Sequence, residues 1–167
     1  MGKYKYLLKN IGLLTLSSFA TKFLSFFLVP LYTNILSTTE YGTYDLFNTT
    51  IGVLLPLLTL NIHEAVLRFL LDKNNNRQAV VTVGARYFIK SNCMVVIGLF
   101  INYIFAFSEL GKEYALFFFL MYFAQSLSTI VMAYIRGVDR VADLSISSVV
   151  CSVVIIGCNI LFLVVFK

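Results

Sequence analysis

Apolar residues in this chain run in long blocks and do not alternate with polar ones. Five blocks exceed the roughly 20 residues that a 30 Å hydrocarbon core requires: about Ile11–Leu36, Tyr44–Leu71, Val80–Phe107, Tyr114–Ile135 and Leu144–Phe166. The segments between them, "STTEYG", "DKNNNR", "SELGKE" and "RGVDRVAD", are short and polar and carry the Gly, Asn, Asp and Ser of turns. Strands of a membrane barrel would alternate over about ten residues. Unbroken runs of twice that length predict helices, in which every backbone group bonds within its own segment. The pattern predicts an all-α polytopic bundle of about five transmembrane helices, a single transmembrane domain over residues 1–167, with no room for a soluble domain.

Within the blocks a second period appears. Positions three or four apart share a helix face. Ser18, Lys22 and Ser25 share one in the first block, and Asp45, Thr49, Gly52, Pro56, Thr59 and His63 in the second. Tyr122, Gln125, Thr129, Met132 and Arg136 line up in the fourth, and Ser145, Ser148, Ser152 and Asn159 in the fifth. Small and hydroxyl residues line helix–helix interfaces in membranes, which suits the fifth block best. Pro30 and Pro56 each remove a backbone hydrogen bond and predict bends in the first two spans.

Composition agrees with the block pattern. Hydrophobic residues make up 59% of the chain and charged ones 13%, against roughly half and a quarter in soluble domains. The mean hydropathy is +0.87. The partner implied first is therefore the lipid bilayer. The net charge of +5 lies in short loops beside the spans, with no basic and aromatic surface suited to nucleic acid.

Lys3, Lys5, Lys9, Arg68, Lys73, Arg77, Arg86, Arg136 and Arg140 fall on one side, against Lys112 and Lys167 on the other. Positive loops stay inside, so the amino terminus is expected in the cytoplasm and the carboxyl terminus outside. Tyr32, Tyr41, Tyr44, Tyr103 and Tyr114 then mark the outer ends. The basic start and "SFA" resemble a signal peptide, but the apolar run continues past a normal signal length, so an uncleaved span is expected. Cys93, Cys151 and Cys158 all lie in apolar runs and are expected as buried thiols. No metal spacing, cofactor motif or catalytic constellation stands out, so no enzyme, metal or cofactor is expected.

The remaining chemistry is cationic. A charge in hydrocarbon costs about 3 kcal/mol or more and faces a bundle interior or a wet cavity. Lys22 lies about a dozen residues into its span, near mid-depth at about 1.5 Å per residue. It is a candidate cavity cation, with snorkelling to the interface as the alternative. Glu64 and Arg68 stand four apart in the favoured order for a helical ion pair. Arg68 either anchors the inner interface or forms, with Arg86 and Lys90, a basic mouth for an anionic substrate. His63 sits deeper on the polar stripe, as a hydrogen-bonded side chain or a group that titrates near neutral pH.

The ordered string Lys22, "PLYT" (Pro30–Thr33), "LS" (Leu36–Ser37), "EYG" (Glu40–Gly42) and "EAVLRF" (Glu64–Phe69) resembles the start of the bacterial oligosaccharide flippases. These lipid-linked polysaccharide exporters share a superfamily with multidrug extruders and peptidoglycan-precursor flippases. Later spans resemble the family in hydropathy and in "RG" at Arg136–Gly137. The resemblance implies a two-lobed transporter around a central cavity, of which five spans are under half, so the chain would be an incomplete first lobe. It implies an undecaprenyl diphosphate-linked oligosaccharide as substrate, flipped across the bacterial inner membrane for capsule or lipopolysaccharide synthesis. It also implies cationic side chains on the diphosphate, by position Lys22 and Arg68, and a polysaccharide polymerase or other assembly proteins as partners. Asn34 departs from the pattern where many members carry a basic residue, and Asn61 where a glycine is common. The competing readings are a multidrug extruder, which needs an acidic cation site, and a truncated membrane scaffold without transport activity.

Overall fold

The computed structural model describes residues 8, 11, 12, 15, 18, 19, 22, 23, 26, 29, 30, 32–72 and 75–161. The described residues between 8 and 35 are helical. Six helices follow: α1 (Thr38–Thr59), α2 (Ile62–Leu71), α3 (Arg77–Phe105), α4 (Glu109–Glu113), α5 (Ala115–Gly137) and α6 (Val141–Ile160). The protein is thus an all-α membrane bundle. Helices α3, α5 and α6 are long and apolar enough to cross a membrane, and α1 with α2 qualifies as a bent pair. The full course of the first expected span, Ala20 of its "SFA" site and Ser25 lie outside the described residues.

The chain divides into two compact units, residues 1–41 with 140–167 and residues 42–139. The core of the second unit joins α1, α3 and α5. Phe47, Ile51 and Leu55 of α1 meet Val95 of α3 and Phe118 and Tyr122 of α5. The Phe47 ring stands edge-on to Phe118, with centroids 5.5 Å apart, a preferred aromatic geometry. Helix α2 packs on the same α5 and on α3 through its buried face, Val66 and Leu70. Two glycines permit that approach. A Cβ on Gly84 would lie 3.0 Å from Val66 Cγ2, and one on Gly137 would lie 2.6 Å from Leu70 Cβ.

The second span is not one helix. Leu60 and Asn61 adopt left-handed backbone, φ 50° and 51°, and α2 leaves α1 at 58°. Pro56 is accommodated inside α1, and the break falls after it. Asn tolerates the left-handed region better than most residues, and Gly best of all. The departure at Asn61 thus marks the position that breaks the span.

The turns are built from side chains. Asn76 caps α3 by accepting from the backbone N–H of Gln78 and Ala79. Between α3 and α4, Asn102 clasps Ser108 twice, its Oδ1 accepting from Ser108 N at 2.9 Å and its Nδ2 donating to Ser108 O at 3.2 Å.

In the first unit the hydroxyls of Ser145, Ser148 and Ser152 each donate to the carbonyl four residues back. Tyr32 donates its hydroxyl to Asn159 Oδ1 at 2.8 Å. The expected α6 stripe is therefore the buried or half-buried face of that helix. At the start of α1, Ser37 N and Oγ both donate to Glu40 Oε2, at 2.8 and 2.7 Å. Glu40 N donates back to Ser37 Oγ at 3.3 Å. This reciprocal box satisfies N–H groups that a helix start leaves without partners.

Three expectations change. Cys93, Cys151 and Cys158 are exposed, not buried. The outer face of a membrane helix is apolar because it meets hydrocarbon, so an apolar neighbourhood in sequence does not imply burial inside the chain. On α5 the buried face runs Phe118, Tyr122, Ser126, Ala133 and Gly137, leaving Gln125 and Arg136 exposed. On α1 it runs Phe47, Ile51, Leu55 and Thr59, leaving Asp45, Thr49 and Gly52 exposed beside it. Close packing selected the apolar and small residues in both helices and set much of the polar stripe on the flank.

Candidate functional site

The expected site residues fall in both units. Lys22 is helical and exposed in the first unit, as is its stripe neighbour Ser18. His63, Arg68, Arg86 and Lys90 belong to the second. Counted from Leu46, just past Asp45, about 20 residues of span reach Ala65. Counted back from Phe105, about 20 residues reach Arg86. By these counts Arg68 lies just past the end of the first stretch and Arg86 at the end of the second, at the hydrocarbon boundary that such a length sets, with Lys90 one turn inside it.

On α2, Val66 and Leu70 face the protein, and Arg68, two residues from each, is exposed on the far side. Glu64 turns to His63, with Oε1 3.7 Å from Nε2, and not to Arg68. The four-residue spacing pointed to Arg68, and the carboxylate lies instead beside its chain neighbour. Glu64 is 70% exposed on its side chain and His63 20%, so the contact is solvent-screened and becomes ionic only when His63 is protonated. Arg86 and Lys90 share an exposed face of α3 as expected. Lys90 reaches back toward the amino end of its helix, its Nζ 5.4 Å from the Tyr87 ring centroid. Among the described residues neither cation has an acidic partner.

Sequence spacing missed two features. The first is a buried polar cluster between α3 and α5. Ser91, Asn92, Tyr122 and Ser126 are each under a tenth exposed. Ser91 and Ser126 donate their hydroxyls to Phe88 O and Phe123 O. Asn92 Nδ2 donates to Phe88 O at 2.8 Å and to Ser126 Oγ at 3.4 Å. That leaves Asn92 Oδ1 and the Tyr122 hydroxyl buried without hydrogen bonds. The third block has a weak polar period, so nothing in the sequence singled out Ser91 and Asn92. The second feature is an apolar groove of about 470 Å³ between α3 and α5, with Ile89, Cys93, Ile97, Phe119 and Phe123 in its walls.

The sequence model of a family described as polysaccharide biosynthesis protein matches residues 7–167. No curated protein and no solved structure matches the chain.

Proposed function

The chain belongs to the polysaccharide biosynthesis protein family, and from that premise we propose that it acts in a flippase for undecaprenyl diphosphate-linked oligosaccharides. The repeat unit passes from the inner to the outer leaflet of the bacterial inner membrane, where surface polysaccharide is assembled. The family match over nearly the whole chain carries the reading. The residues supply the chemistry in outline. A diphosphate entering a bundle must exchange water for cations, and charge-assisted contacts are the strong ones in such a setting. Arg68, Arg86 and Lys90, near the ends of the apolar stretches, meet the diphosphate first. Lys22, exposed on its own helix, is a separate cation for the diphosphate.

Complementation of a strain lacking surface polysaccharide tests this, with membrane levels of the protein checked. Lys22→Gln is expected to lose most export while still inserting, and Lys22→Arg to keep most of it, because charge matters more than shape for this contact. Full export by Lys22→Gln removes Lys22 from the substrate path.

A further inference from the structure

We propose that the groove between α3 and α5 is a binding site for an anionic phospholipid, with one acyl chain in the groove and the phosphate on Arg86 and Lys90. The groove walls are almost wholly apolar, and a volume of about 470 Å³ falls within the range of ligand pockets, about 300–1,000 Å³. Its direction is set by α3. Arg86, Cys93 and Ile97 are separated by seven and four residues and form one stripe along the helix. The stripe begins at the hydrocarbon boundary and runs inward. A lipid lying along it has its headgroup at Arg86 and its chain beside Cys93 and Ile97, the order in which a phospholipid spans its own leaflet.

Charge selects the headgroup. Arg86 and Lys90 are exposed and lack acidic partners among the described residues. Lys90 lies one turn inside the boundary and extends toward it over Tyr87, as a snorkelling lysine does. Two cations at one lipid interface without counter-charge attract phosphate, and an anionic headgroup more than a zwitterionic one. The inference goes beyond transport. It needs only a phosphate and an acyl chain, so it stands or falls separately from the diphosphate-sugar reading.

The chain contains no tryptophan, so a single introduced one reports its own lipid contacts. Cys93→Trp places the reporter in the groove, and Val150→Trp, on the exposed side of α6, serves as reference. Both are reconstituted in mixtures of brominated phosphatidylglycerol and phosphatidylcholine. Cys93→Trp is expected to be quenched preferentially by the anionic lipid, and Val150→Trp by both alike. Each cation is expected to contribute about five-fold to the preference, so Arg86→Gln in the Cys93→Trp background lowers it by about that factor and Arg86→Lys retains most of it. Helix content is checked by circular dichroism in each variant. Equal quenching of the two reporters overturns the proposal, as does a preference that survives Arg86→Gln with Lys90→Gln in a folded protein.

Discussion

Leu70 occupies the space that a side chain on Gly137 would need: a Cβ there would stand 2.6 Å from Leu70 Cβ and 2.9 Å from its Cδ1. A contact between two β-carbons cannot be relieved by rotating a side chain, so the helices themselves must separate. Gly137→Ala is therefore expected to destabilise the second unit by about 1–3 kcal/mol, the usual range for overpacking. Gly98, with nothing within 4 Å of the added Cβ, is the control. Gly98→Ala is expected to stabilise by up to about 1 kcal/mol through helix propensity. Reversible unfolding in mixed micelles measures both, and equal effects of the same sign at the two sites contradict the close approach.

Tyr122 is fully buried, and its hydroxyl makes no hydrogen bond. Ser91 is its polar neighbour and donates to Phe88 O, and among the described residues no group lies in hydrogen-bonding geometry with the Tyr122 hydroxyl. Removing an unpaired buried hydroxyl relieves a desolvation cost of about 1–3 kcal/mol. Tyr122→Phe is expected to leave stability unchanged or raise it by about 1 kcal/mol, with the ring's place in the core cluster intact. A loss of that size in the same unfolding assay means that the hydroxyl is paired.

The Glu40 carboxyl is held below the ordinary glutamate value by the Ser37 hydroxyl first and the Ser37 backbone N–H second. Both bonds favour the ionised form. Because the folded value lies below the unfolded one, the box contributes fully above the unfolded value and is lost as pH falls through the folded value. The carboxyl carbon of Glu40, followed by NMR, is expected to titrate below an ordinary glutamate. In Ser37→Ala the midpoint rises part of the way back, since the backbone bond remains. No movement of the midpoint in Ser37→Ala refutes the box.

The charge asymmetry predicts that the turn before α3 faces the cytoplasm and the turn carrying α4 faces outside. In a cysteine-free background, an impermeant thiol reagent on intact cells is expected to label Glu113→Cys and to spare Gln78→Cys until the membrane is opened. The reverse pattern inverts the topology.

The membrane bundle was legible in the sequence because apolar blocks of that length have few other uses. The stripe of α6 was also legible, since its hydroxyls both share a face and satisfy themselves on carbonyls four residues back. The break at Leu60–Asn61 was not. Pro56 was the visible signal, but a proline inside a helix need not end it, and the left-handed pair lies four residues on. The polar cluster escaped notice because Ser91 and Asn92 acquire meaning only when α5 brings Ser126 to them. Periodicity reads the faces of one helix and cannot see which neighbour selects among them. The same limit explains Glu64, whose sequence spacing allowed Arg68 and whose rotamer chose His63.

The elbow between α1 and α2 has a mechanical consequence. Both of its arms rest on α5, the upper through Phe47, Phe118 and Tyr122 and the lower through Leu70 on Gly137. A bend with one arm free is a joint. A bend with both arms packed on one helix is a bracket. Force applied to the basic end of α2 therefore reaches α5 through the contact of Leu70 with Gly137.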